Sequence, residues 1–159
     1  MKKELLYVVT IITGVVLLTG VFFGFDNLTG DTTVDINIHD TYFVIPTKYL
    51  LFIFMLILIV FACFVRILFT RFKIKYANYI FLFFNALLIV CFILVCISIN
   101  NFNDILRGNM GETTTREMAT SMNKVLANFL YSGYFAIVLT VFIEIVVAFK
   151  TRKLHKNAS

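Results

Sequence analysis

One of the chain's two histidines, His39, stands beside an acid, Asp40, in the run D-I-N-I-H-D-T-Y-F-V-I from Asp35 to Ile45. An adjacent imidazole and carboxylate can ligate a divalent ion or pair with a charged group. A plainer use is also open: Asp40 and Thr41 capping the turn into the next helix, with His39 hydrogen-bonded to a neighbouring loop. A second candidate is ionic. Glu144 and Arg66 both lie within apolar runs, close to the lysine- and arginine-rich ends of those runs. Glu144 precedes Lys150 by roughly 9 Å of helix rise. An ionisable group in a membrane usually faces a partner or a cavity, so equal depth predicts a Glu144–Arg66 pair across the molecule. The alternative is that both side chains extend to the headgroups. Asn85 is the polar residue of note in its own apolar run, and an amide in hydrocarbon seeks a partner on another helix.

Other residues with chemical potential have simpler uses. Cys63, Cys91 and Cys96 lie inside apolar runs without a His or Asp at metal-ligand spacing, which fits small, polarisable packing residues. Met118 and Met122 share a helical face with Val125, Leu126 and Phe129, a packing or interface pattern that no His or Cys joins to make a copper site. No Ser-His-Asp set, nucleotide-binding glycine loop or H-E-x-x-H motif occurs, so ordinary hydrolases and nucleotide-driven transporters lack their parts.

These residues are carried by a very apolar chain. Of 159 residues, 60% are hydrophobic and 14% charged, with 19 Phe and a single Pro; mean hydropathy is +0.93. A soluble core of this length could not hide so much apolar surface, whereas a bilayer accepts it. The pattern predicts an all-α, four-transmembrane-helix bundle forming a single membrane domain, with spans at about 5–25, 49–69, 79–99 and 129–149. The first run is about as long as a full bilayer span and lacks a small-x-small cleavage site, which favours a retained helix over a signal peptide. Within it, Gly20-x-x-x-Gly24 has the spacing that permits close helix approach.

The two longer connections are residues 26–48 and 100–128. Asp26 to Asp31 is turn chemistry. In the next stretch Val34, Ile36 and Ile38 alternate with Asp35, Asn37 and His39, the period of an extended segment. Pro46 suits the first turn of the second span, where a missing N–H is no loss. In the other loop, residues 102–107 prolong the third helix towards Gly108-Asn109-Met110-Gly111. Thr114 and Glu117 then form a capping box that opens an amphipathic helix leading into the fourth span.

Charge sets the orientation. Lys2, Lys3, Arg66, Arg71, Lys73, Lys75 and the basic tail at 150–159 fall at one end of the spans. Lys48, Arg107, Arg116 and Lys124 fall at the other end, with most of the acids. The positive-inside bias predicts cytoplasmic termini and outer loops at 26–48 and 100–128. The net charge of +5 therefore reports topology, and with no aromatic-basic repeat a nucleic-acid partner is not indicated. His155 in the tail reads as a surface residue beside anionic headgroups.

The H-D-T-Y-F-V core resembles a segment of heme-copper oxidase subunit I, the large subunit of cytochrome c and quinol oxidases, which reads approximately D-I-x-L-H-D-T-Y-[YF]-V-V-A-H-F-H. Leu18-Thr19-Gly20-Val21 is similar to the L-T-G-[IV] that ends that subunit's preceding helix, so the resemblance covers roughly residues 10–69. In that family the H-D pair lies on the outer side, beside the heme propionates and a non-redox magnesium. By resemblance those roles would fall on His39 and Asp40, with Asp35 at the matching upstream acid. The departures are large. Where the family continues A-H-F-H, this chain has Pro46-Thr47-Lys48-Tyr49, so the heme-holding histidines correspond to Thr47 and Tyr49. Neither replaces a histidine ligand readily, and two histidines in all cannot supply the copper set. The resemblance implies a small, non-catalytic accessory, assembly or interaction component of a respiratory membrane, in the bacterial inner membrane, with no cofactor beyond a divalent ion at the outer loop. The alternatives are a heme- or metal-handling protein using His39, Asp40 and Asp35, and a homo-oligomeric channel or transporter. A membrane-protein partner or self-association fits the first reading.

Overall fold

A computed structural model describes residues 2–38, 41–109 and 116–156. Helix α1 (Lys2–Phe23) is followed by one helical turn, α2 (Asp26–Thr29), and a two-stranded sheet of β1 (Thr33–Ile38) and β2 (Thr41–Pro46). Three long helices complete the chain: α3 (Thr47–Phe69), α4 (Lys75–Asn109) and α5 (Arg116–Lys156). Among the described residues, four helices are long and apolar enough to cross a membrane: Lys3–Phe23, Thr47–Phe69, Lys75–Phe102 and Asn123–Leu154. The architecture is the all-α membrane bundle, with a minor sheet added.

The long helices pack in chain order, α1 on α3, α3 on α4 and α4 on α5. The core follows one face of α3. Leu56, Ile59, Val60, Cys63 and Ile67 recur at helical spacing and meet Ala77, Phe81 and Leu88 of α4 and Val147 of α5. Ile11 and Val15 of α1 close over the same cluster, and the Phe64 and Phe81 rings meet with centroids 5.6 Å apart. Outward faces remain apolar: Val21, Phe61, Phe83, Phe135, Val138 and Phe142 are all more than 60% exposed. Such surface is stable against lipid and costly against water, while the helical backbone satisfies its own hydrogen bonds. The chain is an integral membrane protein.

Helix ends explain where the segments turn. Gly24 adopts φ +88°, a left-handed conformation natural to glycine, and its N–H closes the last turn on the Gly20 carbonyl at 2.9 Å. The Asp26–Asp31 turn chemistry becomes the single turn of α2, with the Asn27 amide donating to the Phe23 carbonyl. Between α3 and α4 the reversal is sharper. Arg71 and Phe72 have φ of 50° and 64°, and the Phe72 N–H returns to the Ile67 carbonyl at 3.0 Å. Fully buried Asn78 donates to the Phe72 carbonyl at 2.8 Å, pinning this turn from the following helix.

The extended segment between α2 and α3 is a hairpin. The strands pair antiparallel from Thr33↔Pro46 to Ile38↔Thr41, so the Thr41–Ile45 run is a second strand rather than a simple lead into α3. Its base is closed by the Thr47 N–H on the Thr32 carbonyl at 2.9 Å and by a Lys48–Asp31 ion pair at 3.5 Å. Pro46 precedes the helix instead of opening it, because its backbone stays in the strand.

The third and fourth spans lie inside longer helices. At 1.5 Å per residue α4 and α5 are about 52 and 61 Å long, against a hydrocarbon core of ~30 Å. Polar residues beyond the spans continue the backbone ladder, and the amphipathic helix and the fourth span are one uninterrupted α5. Thr114, the expected N-cap, lies outside the described residues.

Candidate functional site

Three polar features stand out, one at each end of the molecule and one between α4 and α5. The first joins α1 to α3. Because these helices run antiparallel, the first turn of α1 lies beside the last turns of α3. Arg66 donates through Nη2 to both Glu4 oxygens, at 2.7 and 2.8 Å, and through Nε to Oε2 at 3.1 Å. Its guanidinium also stacks on Tyr7, 3.7 Å from the ring centroid. A planar guanidinium matches both partners at once, a carboxylate in its plane and a ring across its face. Glu4 is 8% exposed. Cys63, Ala77 and Ile80 border a void of about 10 Å³ beside the pair, no larger than a water molecule requires. This cluster is a staple with no room for a substrate.

This arrangement corrects the expected Glu144–Arg66 pair. Glu144 and Arg66 belong to helices separated by α4, and Arg66 is taken by Glu4 at its own depth. Glu144 instead accepts from the Asn85 amide, which also donates to the Thr140 carbonyl at 3.1 Å. Asn85 is fully buried, so an amide from α4 satisfies a carboxylate and a main-chain oxygen of α5 together. Farther along the same seam, Gly133 lets the helices approach: a Cβ there would stand 2.7 Å from the Cys96 sulfur. One helical turn beyond, the Asn100 amide donates to the Tyr134 hydroxyl at 3.2 Å. The α4–α5 seam is thus fastened at three levels by polar and small residues.

Within this chain the α1 glycines sit against their own helix exit. A Cβ at Gly20 would strike the ring of Phe25, which folds back on its own helix, and Gly24 supplies the left-handed stop. Both glycines thus shape the exit from α1.

At the opposite end from the Glu4–Arg66 staple, the hairpin carries Asp35, an exposed residue paired through the backbone with Val44. Thr33 donates to the Asp35 carboxylate at 3.4 Å. His39 and Asp40, the other proposed ligands, lie outside the described residues. Among the described residues, no group of three His, Cys, Asp or Glu side chains is placed to hold a metal ion. The cysteines are free thiols, with Cys63 and Cys96 buried against neighbouring helices.

Sequence reasoning passed over Glu4, Tyr7 and Asn78. Depth matching could have found the first: in two antiparallel spans, residues near the start of one and the end of the next share a level. Tyr7 and Asn78 carried no such signal, because their roles depend on helix rotation and on the backbone of one turn.

Fold and polar contacts together define a four-helix integral membrane protein with an extramembrane hairpin. In comparisons with known proteins, no family model, curated protein or solved structure matches this chain.

Proposed function

We propose that the protein is a non-catalytic accessory or assembly component of a respiratory membrane, using its hairpin to contact a partner on the outer side. The observation that carries this reading is the hairpin itself. Residues 33–38 and 41–46 pair as two strands fastened at their base to α3, and they carry the described part of the oxidase-like D-I-N-I-H-D-T-Y-F-V sequence. A segment held this way presents one fixed edge to a partner with little ordering cost on binding. The basic end, with the termini and the α3–α4 turn, takes the cytoplasmic side of a bacterial inner membrane, as the excess of lysine and arginine there supports. Residues that hold hemes in the resembled family are Thr47 and Tyr49 here, which supports a role beside an oxidase rather than as one.

Purification in mild detergent tests this. Oxidase core subunits should accompany the wild-type chain and be lost when residues 35–40 are replaced by a Gly-Ser linker, with the helical content unchanged. Equal recovery from both chains would refute it. A second reading, ion or heme-propionate binding at the hairpin, is favoured by the exposed Asp35 carboxylate on the strand that leads to His39 and Asp40. It requires a metal or a heme absorption band in the purified protein that His39→Ala removes; its absence from the wild-type protein would dismiss this reading.

A further inference from the structure

We infer that the basic end of the molecule holds a specific site for an anionic phospholipid, in the cleft between the start of α4 and the end of α5. The cleft measures about 340 Å³ and is lined by Lys75, Tyr79 and Leu82 of α4 and by Ala148, Thr151 and Arg152 of α5. That volume lies within the ~300–1,000 Å³ range of small-ligand sites.

Its chemistry is divided along the helix axes. Lys75 and Arg152 bring one cation from each wall at the membrane boundary, since spans begin at Lys75 and end at Leu154. Both residues are exposed, and among the described residues neither forms an ion pair. The acid of this end, Glu4, is consumed by Arg66, and Glu144, two helical turns before Arg152, is engaged by Asn85. Lys75 is held over the Tyr79 ring at 5.9 Å, which orients it without cancelling its charge. The neighbouring Lys150 is directed elsewhere, over the Phe72 ring at 4.5 Å. Thr151 spends its hydroxyl on the Val147 carbonyl at 2.7 Å. Deeper in the span, Leu82 and Ala148 offer an apolar wall. A phosphate between Lys75 and Arg152 with acyl chain along Leu82 and Ala148 satisfies both halves. Basic pockets between membrane helices recognise anionic headgroups by this division.

The probe is the purified full chain in neutral detergent, with retained lipid counted by native mass spectrometry after addition of phosphatidylglycerol or phosphatidylcholine. The wild-type chain should retain phosphatidylglycerol about tenfold more strongly than phosphatidylcholine. The double variant Lys75→Gln/Arg152→Gln should bring the two lipids to parity. Ala148→Leu, which fills the cleft and leaves charge unchanged, should weaken phosphatidylglycerol in the same way and serves if the double variant folds poorly. Lys73→Gln/Lys153→Gln removes equal charge from the same end outside the cleft and should keep the preference. Equal loss in that control would overturn the site in favour of diffuse attraction. Unchanged preference in both cleft variants would overturn it too. Inorganic phosphate competing as well as lipid would show an ion site and not a lipid site.

Discussion

Breaking the Glu4–Arg66 staple should be asymmetric: Arg66→Ala should cost more stability than Glu4→Ala. At an effective dielectric near 20, unit charges 4 Å apart attract by ~4 kcal/mol, and removing one partner of a fully buried pair typically costs ~3–5 kcal/mol. The side chains here are 23% and 11% exposed for Arg66 and Glu4, so screening reduces both figures. Without Arg66, a short and nearly buried carboxylate loses all three hydrogen bonds and Tyr7 loses its cation, for a combined loss of ~2–3 kcal/mol. Without Glu4, Arg66 keeps the Tyr7 ring and can extend its long stem to the headgroups, so the loss should be ~1 kcal/mol. The assay is reversible unfolding in detergent micelles followed by circular dichroism, with both singles and the double variant. A coupling energy of ~1–2 kcal/mol is expected between residues 4 and 66, and less than ~0.5 kcal/mol between Arg66→Ala and Glu144→Ala. Additive effects at 4 and 66, or a larger cost from Glu4→Ala, would refute the reasoning.

Other perturbations separate packing from helix termination. Gly133→Val should push α4 and α5 apart at Cys96 and lower stability by ~1–3 kcal/mol, with part of the loss recovered by Cys96→Ala; unfolding midpoints measure both. Gly24→Ala places a side chain at φ +88° and should cost ~1–2 kcal/mol. Gly20→Ala should be nearly neutral in the same unfolding assay, because the obstructing Phe25 ring is 53% exposed and can swing away. Asn85→Leu strands the Glu144 carboxylate and should cost ~1–3 kcal/mol, whereas Glu144→Gln keeps an acceptor for the amide and should cost less than half as much.

The sequence made the four spans legible because bilayer crossing needs long apolar runs, and nothing else in a chain of this size accounts for them. Alternation around Asp35 disclosed an extended stretch, but not its partner: Thr41–Ile45 has no clean alternation, and pairing follows from the backbone at the two strand ends. Asn85 was recognisable as a residue in need of a partner, since the cost of an unpaired amide does not depend on which helix supplies the oxygen. The partner of Arg66 was not recognisable. Depth restricted it to residues near the basic end, but helix order decided between Glu4 and Glu144, and order is fixed by side-chain packing along α3. The same limit applies to Gly20 and Gly24. Their spacing is shared by helix interfaces and helix ends, and the Phe25 side chain that distinguishes the two folds back only in three dimensions.

The proposed function requires the basic end and the hairpin end to face opposite sides of the bilayer. In a background with Cys63, Cys91 and Cys96 replaced by alanine, single cysteines at positions 35, 73 and 153 can be challenged in intact cells with a membrane-impermeant maleimide. Labelling at 35 before permeabilisation, and at 73 and 153 only after it, is the predicted result. Positions 35 and 73 becoming reactive from the same side would contradict it.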